Sequence, residues 1–298
     1  MTPLERLDRY LTGEQGKSPA TRAAYLADAR LLLALAGDTA MENLTPREIR
    51  GFVRRMKSQG HDHRSIARRL SAWRGWFKLL VREAGFATNP VEGIKAPRAA
   101  RKLPRPIGVD EAQGFLENLD EDDPLARRDR AMYELAYSAG LRVSELVGAG
   151  LADFRDEGRT LQVLGKGGKS RQVPVGDYAR QALDNWLMDR ASLVQPGETA
   201  LFLNQRGRRM STRAVQLRLA EWSTKLGLAD RLHPHRLRHA CASHFLQGSQ
   251  DLRATQELLG HSSIATTQVY TRLDFQHLAS VYDAAHPRAH TSDDEADI

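Results

Sequence analysis

The sequence predicts a mainly α-helical protein in two parts, a helical bundle followed by a mixed α/β domain with a small antiparallel sheet. Three observations carry this reading. Between residues 18 and 84, apolar side chains recur at three- and four-residue steps, the period of amphipathic helices. Four prolines (Pro90, Pro97, Pro104 and Pro106) then crowd the stretch from Gly85 to Gly108 and forbid a regular helix there. Beyond Asp110, helical patterns surround two alternating segments, Leu161–Leu164 and Arg171–Val175, which flank the glycine-rich turn GKGGKS as the arms of a hairpin.

Each element has its own signal. Ser18 and Pro19 form an N-cap and first-turn pair for an Ala/Leu-rich helix that reaches about Leu35 and stops at Gly37. Thr45-Pro46-Arg47-Glu48 is a capping box with proline at the first helical position, opening a helix to about Ser58. From His63 to Ala84, Ile66, Leu70, Trp73, Phe77 and Leu80 mark a buried stripe, with Arg64, Arg68, Arg69, Arg74 and Lys78 expected mostly on the outside. The first part thus reads as a four-helix bundle over residues 1–87, joined by a stiff, basic, Pro-rich linker over 88–107. In the second domain, 108–285, helices are expected over 126–139, 177–190, 211–226, 235–247 and 251–259. Residues 286–298, ending in HTSDDEADI, read as an acidic tail without apolar anchors, hence disordered.

Charge is unevenly spread. Residues 1–105 hold 21 Lys/Arg against 10 Asp/Glu, whereas the remainder holds 23 against 27. A basic first third points to a polyanionic partner, and its arginines, interleaved with helical apolar positions, favour nucleic acid over a membrane surface. No run of 18 apolar residues occurs, and the charged amino terminus lacks a signal peptide's apolar stretch. The single Cys241 cannot form an internal disulfide, which suits a reducing cytoplasm.

The segment HPHRLRHACASH, His233 to His244, concentrates histidine and arginine, and Tyr270 follows in HSSIATTQVYTRLD. On a helix, His235 and Arg238 face one ligand and His239 lies within the same arc, while His244 falls elsewhere. Cationic donors of this kind hold phosphate charge while a phenol attacks phosphorus. For His239 and His244 hydrogen bonding within the core is the preferred reading, which leaves His235 and Arg238 as the clamp. A metal reading of the His235/His239 i,i+4 pair suffers from the neighbouring Arg238 and from the lack of an intervening glutamate. Arg142, in AGLRVSEL, follows Gly140 at a helix start, with Glu145 as an evident partner. Lys166 occupies the hairpin tip; taken alone, each of these two is equally a surface residue.

Together the stretches AGLRVSEL, LQVLGKGGKSRQVPV, HPHRLRHACASHFL, LLGHSSIATTQVYT and SPATRAAYLADARLLL resemble the tyrosine recombinase, or lambda-integrase-like, family. The match is closest to its XerC/XerD site-specific recombinases, with the XerC type preferred, and spans all but the acidic end. The resemblance implies a SAM-like core-binding domain for the amino-terminal bundle and a tyrosine recombinase catalytic domain for the rest. It assigns catalytic roles to Arg142, Lys166, His235, Arg238, His261 and Tyr270, none of them replaced. Tyr270 would attack a phosphodiester to give a 3′-phosphotyrosyl linkage, with the arginines and His261 on the phosphate oxygens. His235 would take the phenolic proton or orient the phenol, and Lys166 would protonate the departing 5′ oxygen. No metal or other cofactor is implied, because cationic side chains replace it.

The implied partners are double-stranded DNA gripped between the two domains, a paired XerC/XerD-type recombinase in a tetramer on two DNA sites, and a DNA translocase as regulator. The implied task is resolution of chromosome and plasmid dimers. A helix near Phe275–Ala285, with Leu278, Val281 and Tyr282, would dock on the neighbouring protomer. Cys241 is expected to be a packing position. A phage, transposon or integron integrase shares the same chemistry and is the alternative reading. A non-catalytic architectural protein or a type IB topoisomerase-like enzyme are more distant ones.

Overall fold

The computed structural model describes residues 1–14, 17, 19–97, 107–119, 123–165, 168, 170–260 and 272–291. The chain divides into two compact units, Met1–Leu103 and Pro104–Ile298. Among the described residues it is mainly helical, with one small sheet in the second unit.

In the first unit α1 (Pro3–Thr12), α2 (Pro19–Ala36), α3 (Pro46–Ser58) and α4 (His63–Glu83) enclose one core. Capping boxes start two of them, Thr2 with Glu5 and Thr45 with Glu48, each with proline in the first turn. Asp62 caps α4 by accepting from the Arg64 and Ser65 amides. The expected stripe of Ile66, Leu70, Trp73, Phe77 and Leu80 is buried, and Trp76 joins it. The indole of Trp73 donates to the Asp28 carbonyl at 2.7 Å and that of Trp76 to the Pro3 carbonyl at 3.1 Å, so both rings are buried with their N–H groups satisfied.

The basic face of α4 is less free than its sequence suggests. Arg68 pairs with the buried Asp28, with Arg69 at 3.7 Å from the same carboxylate, and Arg74 donates to the Ile94 carbonyl at 2.8 Å. That last bond reflects a correction to the expected linker. Residues 89–94 are not an extended strap: Asn89 accepts from the Val91 amide and donates to the Arg74 carbonyl, forming a turn whose Val91 and Ile94 complete the bundle core.

The second unit is organised around α6 (Pro124–Ser138), which is buried along almost its whole length. Around it lie α5 (Val109–Glu117), α7 (Val143–Gly148), α8 (Asp177–Leu193), α9 (Thr212–Lys225), α10 (Pro234–Ser249), α11 (Leu252–Leu259) and α12 (Arg272–Ala285). Strands β1 (Phe154–Arg155), β2 (Thr160–Leu164) and β3 (Ser170–Pro174) make an antiparallel sheet in sequence order. The β2–β3 register pairs Leu161 with Val173 and Val163 with Arg171, so the inward face carries Leu161, Val163, Val173 and one charged residue, Arg171. The hairpin falls where its alternation placed it; the short β1 and α5 were not foreseen, and the first helix, counted in the bundle but given no bounds, starts at the Thr2–Glu5 capping box.

Two carboxylates on α6 are fully buried and tie distant segments to it. Asp129 accepts from Arg218 at 2.7 Å and from the Trp222 indole at 2.9 Å, fixing α9. Glu134 pairs with Arg288, whose guanidinium also bonds Glu117 at 3.0 Å and lies 3.6 Å from the Tyr178 ring centroid.

This arrangement corrects two expectations. The tail does not begin at residue 286: His286, Arg288 and Ala289 are buried, because the Arg288 charge has Glu134 to neutralise it and His286 stacks 4.6 Å from Tyr282. Nor are Leu278 and Tyr282 free to anchor a neighbouring protomer. Both are buried in their own unit, where the Tyr282 hydroxyl meets Ser138 Oγ at 2.6 Å, and Val281 packs against the same core. Residues 292–298 lie outside the described residues.

Replacing Arg288 with alanine strands Glu134 in the core and is expected to cost about 3–5 kcal/mol, measured by denaturant unfolding. A chain ending at Ala285 should unfold markedly below the temperature of one ending at Thr291, because it lacks the buried His286, Arg288 and Ala289.

Candidate active site

The six residues singled out by sequence divide into two groups. Arg142, His235 and Arg238 are described, whereas Lys166, His261 and Tyr270 lie outside the described residues. The three that can be placed come together from two segments a hundred residues apart.

Gly140 begins the construction. It follows α6 in the left-handed region, φ +58°, and a Cβ there would stand 3.1 Å from Leu259 Cδ2 and 3.2 Å from Cys241 Sγ. Only glycine permits both the turn and this approach. Cys241 is fully buried beneath it, the packing role expected of it, and burial pushes its thiol up to about 12. The turn delivers Arg142 to the N-cap of α7, where its amide donates to Glu145 Oε2 at 2.8 Å.

Glu145 is the hub. Its carboxylate also accepts from the Arg142 guanidinium at 2.8 Å and from both terminal nitrogens of Arg171 at 2.8 and 3.0 Å, and Arg238 stands 3.7 Å away. The Glu145 side chain is only 2% exposed. Burial opposes its charge, but the hydrogen bonds from Arg171 and Arg142 overcome that and hold its carboxyl down at about 2. Three guanidiniums around one carboxylate leave a surplus of positive charge. Arg142, with 37% of its side chain exposed, is the member that presents it to solvent.

Arg238 lies on α10, which His233 caps and Pro234 opens. It is buried and donates to the carbonyls of Gly140 and Leu259, which orients the guanidinium from two sides. Burial and the nearby Arg142 lower its pKa to about 10, so it stays charged at neutral pH. One turn earlier on α10, the exposed His235 has its pKa lowered, first by desolvation and then by His239, Arg238 and Arg142. The ring is therefore neutral at pH 7, fit to accept a proton. Anion-stabilising donors beside a neutral imidazole are the parts that phosphoryl or acyl transfer requires.

The other histidines separate as follows. His244 is structural, as expected: it is buried, bonded to the Tyr137 hydroxyl at 2.7 Å and the Ile107 carbonyl at 2.9 Å. His239, expected to pack in the core, is instead exposed and edge-on to His235, ring centroids 4.7 Å apart. Position i+4 on the solvent face of α10 leaves it no core to enter. Among the described residues, no group of three or more His, Cys, Asp or Glu side chains is arranged to hold a metal.

Sequence reasoning found Glu145 as a partner of Arg142 but missed Arg171. Its signal was present. Arg171 occupies an inward position of an alternating strand, the same face as Val173, where a charge is tolerated only with a buried partner.

Neutralising the hub with Glu145→Gln should destabilise the fold by on the order of 3 kcal/mol near neutral pH. Because the folded carboxyl is depressed to about 2 from an ordinary 4.5, its stabilisation is present above about 4.5 and is lost as pH falls toward 2. The gap between wild type and variant, followed by urea unfolding at a series of pH values, should close over that window.

Both units have counterparts among known proteins. Residues 107–277 match the phage integrase family, and residues 4–84 match the phage integrase N-terminal SAM-like domain. The tyrosine recombinase XerC of Salmonella typhi is 46% identical over 289 residues, 96% of each sequence. That of Pseudomonas aeruginosa (strain LESB58) is 48% identical over 289 residues, 96% of this chain and 95% of the relative. Among solved structures, Tn1549 transposon integrase in complex with transposon right end DNA superposes with a TM-score of 0.73 at 18% identity, covering 99% of this chain and 97% of that one. A lambda integrase tetramer bound to a Holliday junction gives 0.71 at 20% identity, over 90% and 79% of the two chains. No helix among the described residues is long and apolar enough to cross a membrane. With both domain models matched and near-half identity sustained from end to end, the chain belongs to the phage integrase family, among its XerC-like tyrosine recombinases.

Proposed function

We propose that the chain is a site-specific DNA recombinase that cuts and rejoins strands through a 3′-phosphotyrosyl intermediate, with Arg142, Lys166, His235, Arg238, His261 and Tyr270 as its catalytic side chains. The observation that supports this most directly is the meeting of Arg142 and Arg238 around Glu145, with the neutral imidazole of His235 one turn away on α10. Surplus positive charge there matches the equatorial oxygens of a phosphodiester, which gain negative charge as a fifth ligand approaches.

In this mechanism the Tyr270 oxygen attacks phosphorus as its proton passes to His235, and the bond to the 5′ oxygen breaks. Lys166 supplies the proton that leaves with that oxygen. Arg142, Arg238 and His261 donate to the non-bridging oxygens, bound more tightly in the transition state than in the ground state. Attack by a 5′ hydroxyl reverses each transfer and frees the tyrosine. The phosphotyrosyl bond conserves the energy of the bond it replaced, so rejoining consumes no nucleotide.

Likeness to XerC along nearly the whole chain supports a finer reading. The enzyme works in the cytoplasm on double-stranded DNA, paired with an XerD-type recombinase in a tetramer on two sites, resolving chromosome and plasmid dimers under a DNA translocase's control. The excess of arginine and lysine in residues 1–105 supplies the phosphate contacts of such a complex, so affinity should fall steeply with salt.

On a nicked suicide substrate, wild type should accumulate covalent protein–DNA product. Tyr270→Phe should bind equally well and accumulate none; covalent product from that variant would sink the nucleophile assignment. The single-turnover cleavage rate should fall with acid only below pH 6.5, because desolvation and the neighbouring cations disfavour the His235 imidazolium. A rate–pH profile at constant ionic strength measures this.

A further inference from the structure

Arg171 is a second buried cation at the site, and the mechanism above does not use it. It lies on β3, five residues after Lys166 in the sequence. Its two terminal nitrogens grip both oxygens of Glu145, and its Nε donates to the Leu258 carbonyl at 3.2 Å. The flat of the guanidinium lies against Gly260, where a Cβ would come within 2.9 Å of Arg171 Cδ and 3.0 Å of Nε. Gly260 ends α11 in the left-handed region, φ +62°, one residue before His261. Arg238 takes the adjacent carbonyl, that of Leu259. Two arginines from different elements therefore hold successive carbonyls at the end of α11, and one carboxylate joins Arg171 to Arg142.

Alternative roles are weaker. Arg171 is almost fully buried, which removes it from direct contact with DNA. A purely stabilising pair with Glu145 would need neither the bond to Leu258 nor the close fit against Gly260. A planar, bidentate guanidinium meets all three demands together, whereas a lysine ammonium meets one at a time.

We propose that Arg171 is a positioning residue for strand cleavage: through Glu145 it sets Arg142, and through Leu258 and Gly260 it sets the turn that leads to His261. The proposal rests on the phosphotyrosyl reading of the preceding section. Its object is transition-state alignment at the phosphate oxygens, separate from DNA affinity and from protonation of the leaving group. Small displacements there carry large rate penalties, since donors must meet the oxygens where charge develops.

Arg171→Lys keeps a positive charge opposite Glu145 and so avoids an orphaned carboxylate. On the suicide substrate its single-turnover rate constant should fall roughly 10–100-fold. The DNA dissociation constant and the fraction of enzyme that reacts should stay near wild type, while the melting temperature falls by a few degrees because the Leu258 carbonyl loses its donor. An unchanged rate constant overturns the proposal. So does a loss confined to the reactive fraction, since a merely structural residue lowers the amount of competent enzyme and leaves its rate constant alone. A substrate with sulfur for the leaving 5′ oxygen departs as a thiolate without protonation, and the same deficit is expected with it. Recovery with sulfur would mean that Arg171 acts through Lys166, against the proposal.

A second comparison covers failure of Arg171→Lys to fold. The pair Arg171→Met with Glu145→Gln should cleave more slowly than Glu145→Gln alone, because the Leu258 bond is lost as well; equal rate constants would refute the link to that turn. Wild type and Tyr270→Phe run beside these variants, so a failure of the phosphotyrosyl reading itself appears in those two and stays distinct.

Discussion

A single buried carboxylate organises the reactive end of this protein. Glu145 receives Arg142 from its own helix and Arg171 from the sheet, with Arg238 of α10 close by. Without it three guanidiniums would repel one another across a small volume, and the two buried ones would have backbone carbonyls but no counter-charge to offset their desolvation. With it they form a fixed cationic group whose surplus charge faces outward through Arg142. The remaining contacts follow from this constraint. The Gly140 turn must be tight, Arg238 must bond that turn's carbonyl, and α11 must end against the Arg171 side chain.

Much of this was legible in the amino-acid sequence. In the first unit α3 announces itself through its capping box and α4 through a regular apolar stripe, and both are present at the expected residues. Hairpin strands β2 and β3 follow from period-two alternation around a glycine-rich turn. Of the site, Arg142 and its bond to Glu145, and the common helix of His235 and Arg238, follow from spacing alone. Spacing could not bring the two segments together. Nearly a hundred residues separate Arg142 from Arg238, and their meeting depends on the packing of α10 beside α6.

One cause underlies the departures from expectation. Local composition suggests solvent exposure where a distant partner buries the residue. Prolines around 90–97 suggested a stiff spacer, yet Val91 and Ile94 find the bundle core within reach of one Asx turn. Arg171 looked like an ordinary charged strand residue, and Arg288 like the start of a soluble tail. In both cases the neutralising carboxylate, Glu145 or Glu134, lies far away in sequence. His239 erred the other way: a histidine among apolar neighbours looked packed, although its helical phase faces solvent.

The pair between Glu134 and Arg288 spans 154 residues. Closing so long a loop costs chain entropy before the contact rewards it, so this tie belongs to the late steps of folding. Until residues 286–290 reach α6 and α8, the central helix carries a carboxylate without its cation. The segment last to arrive thus supplies the charge that the middle of the unit lacks.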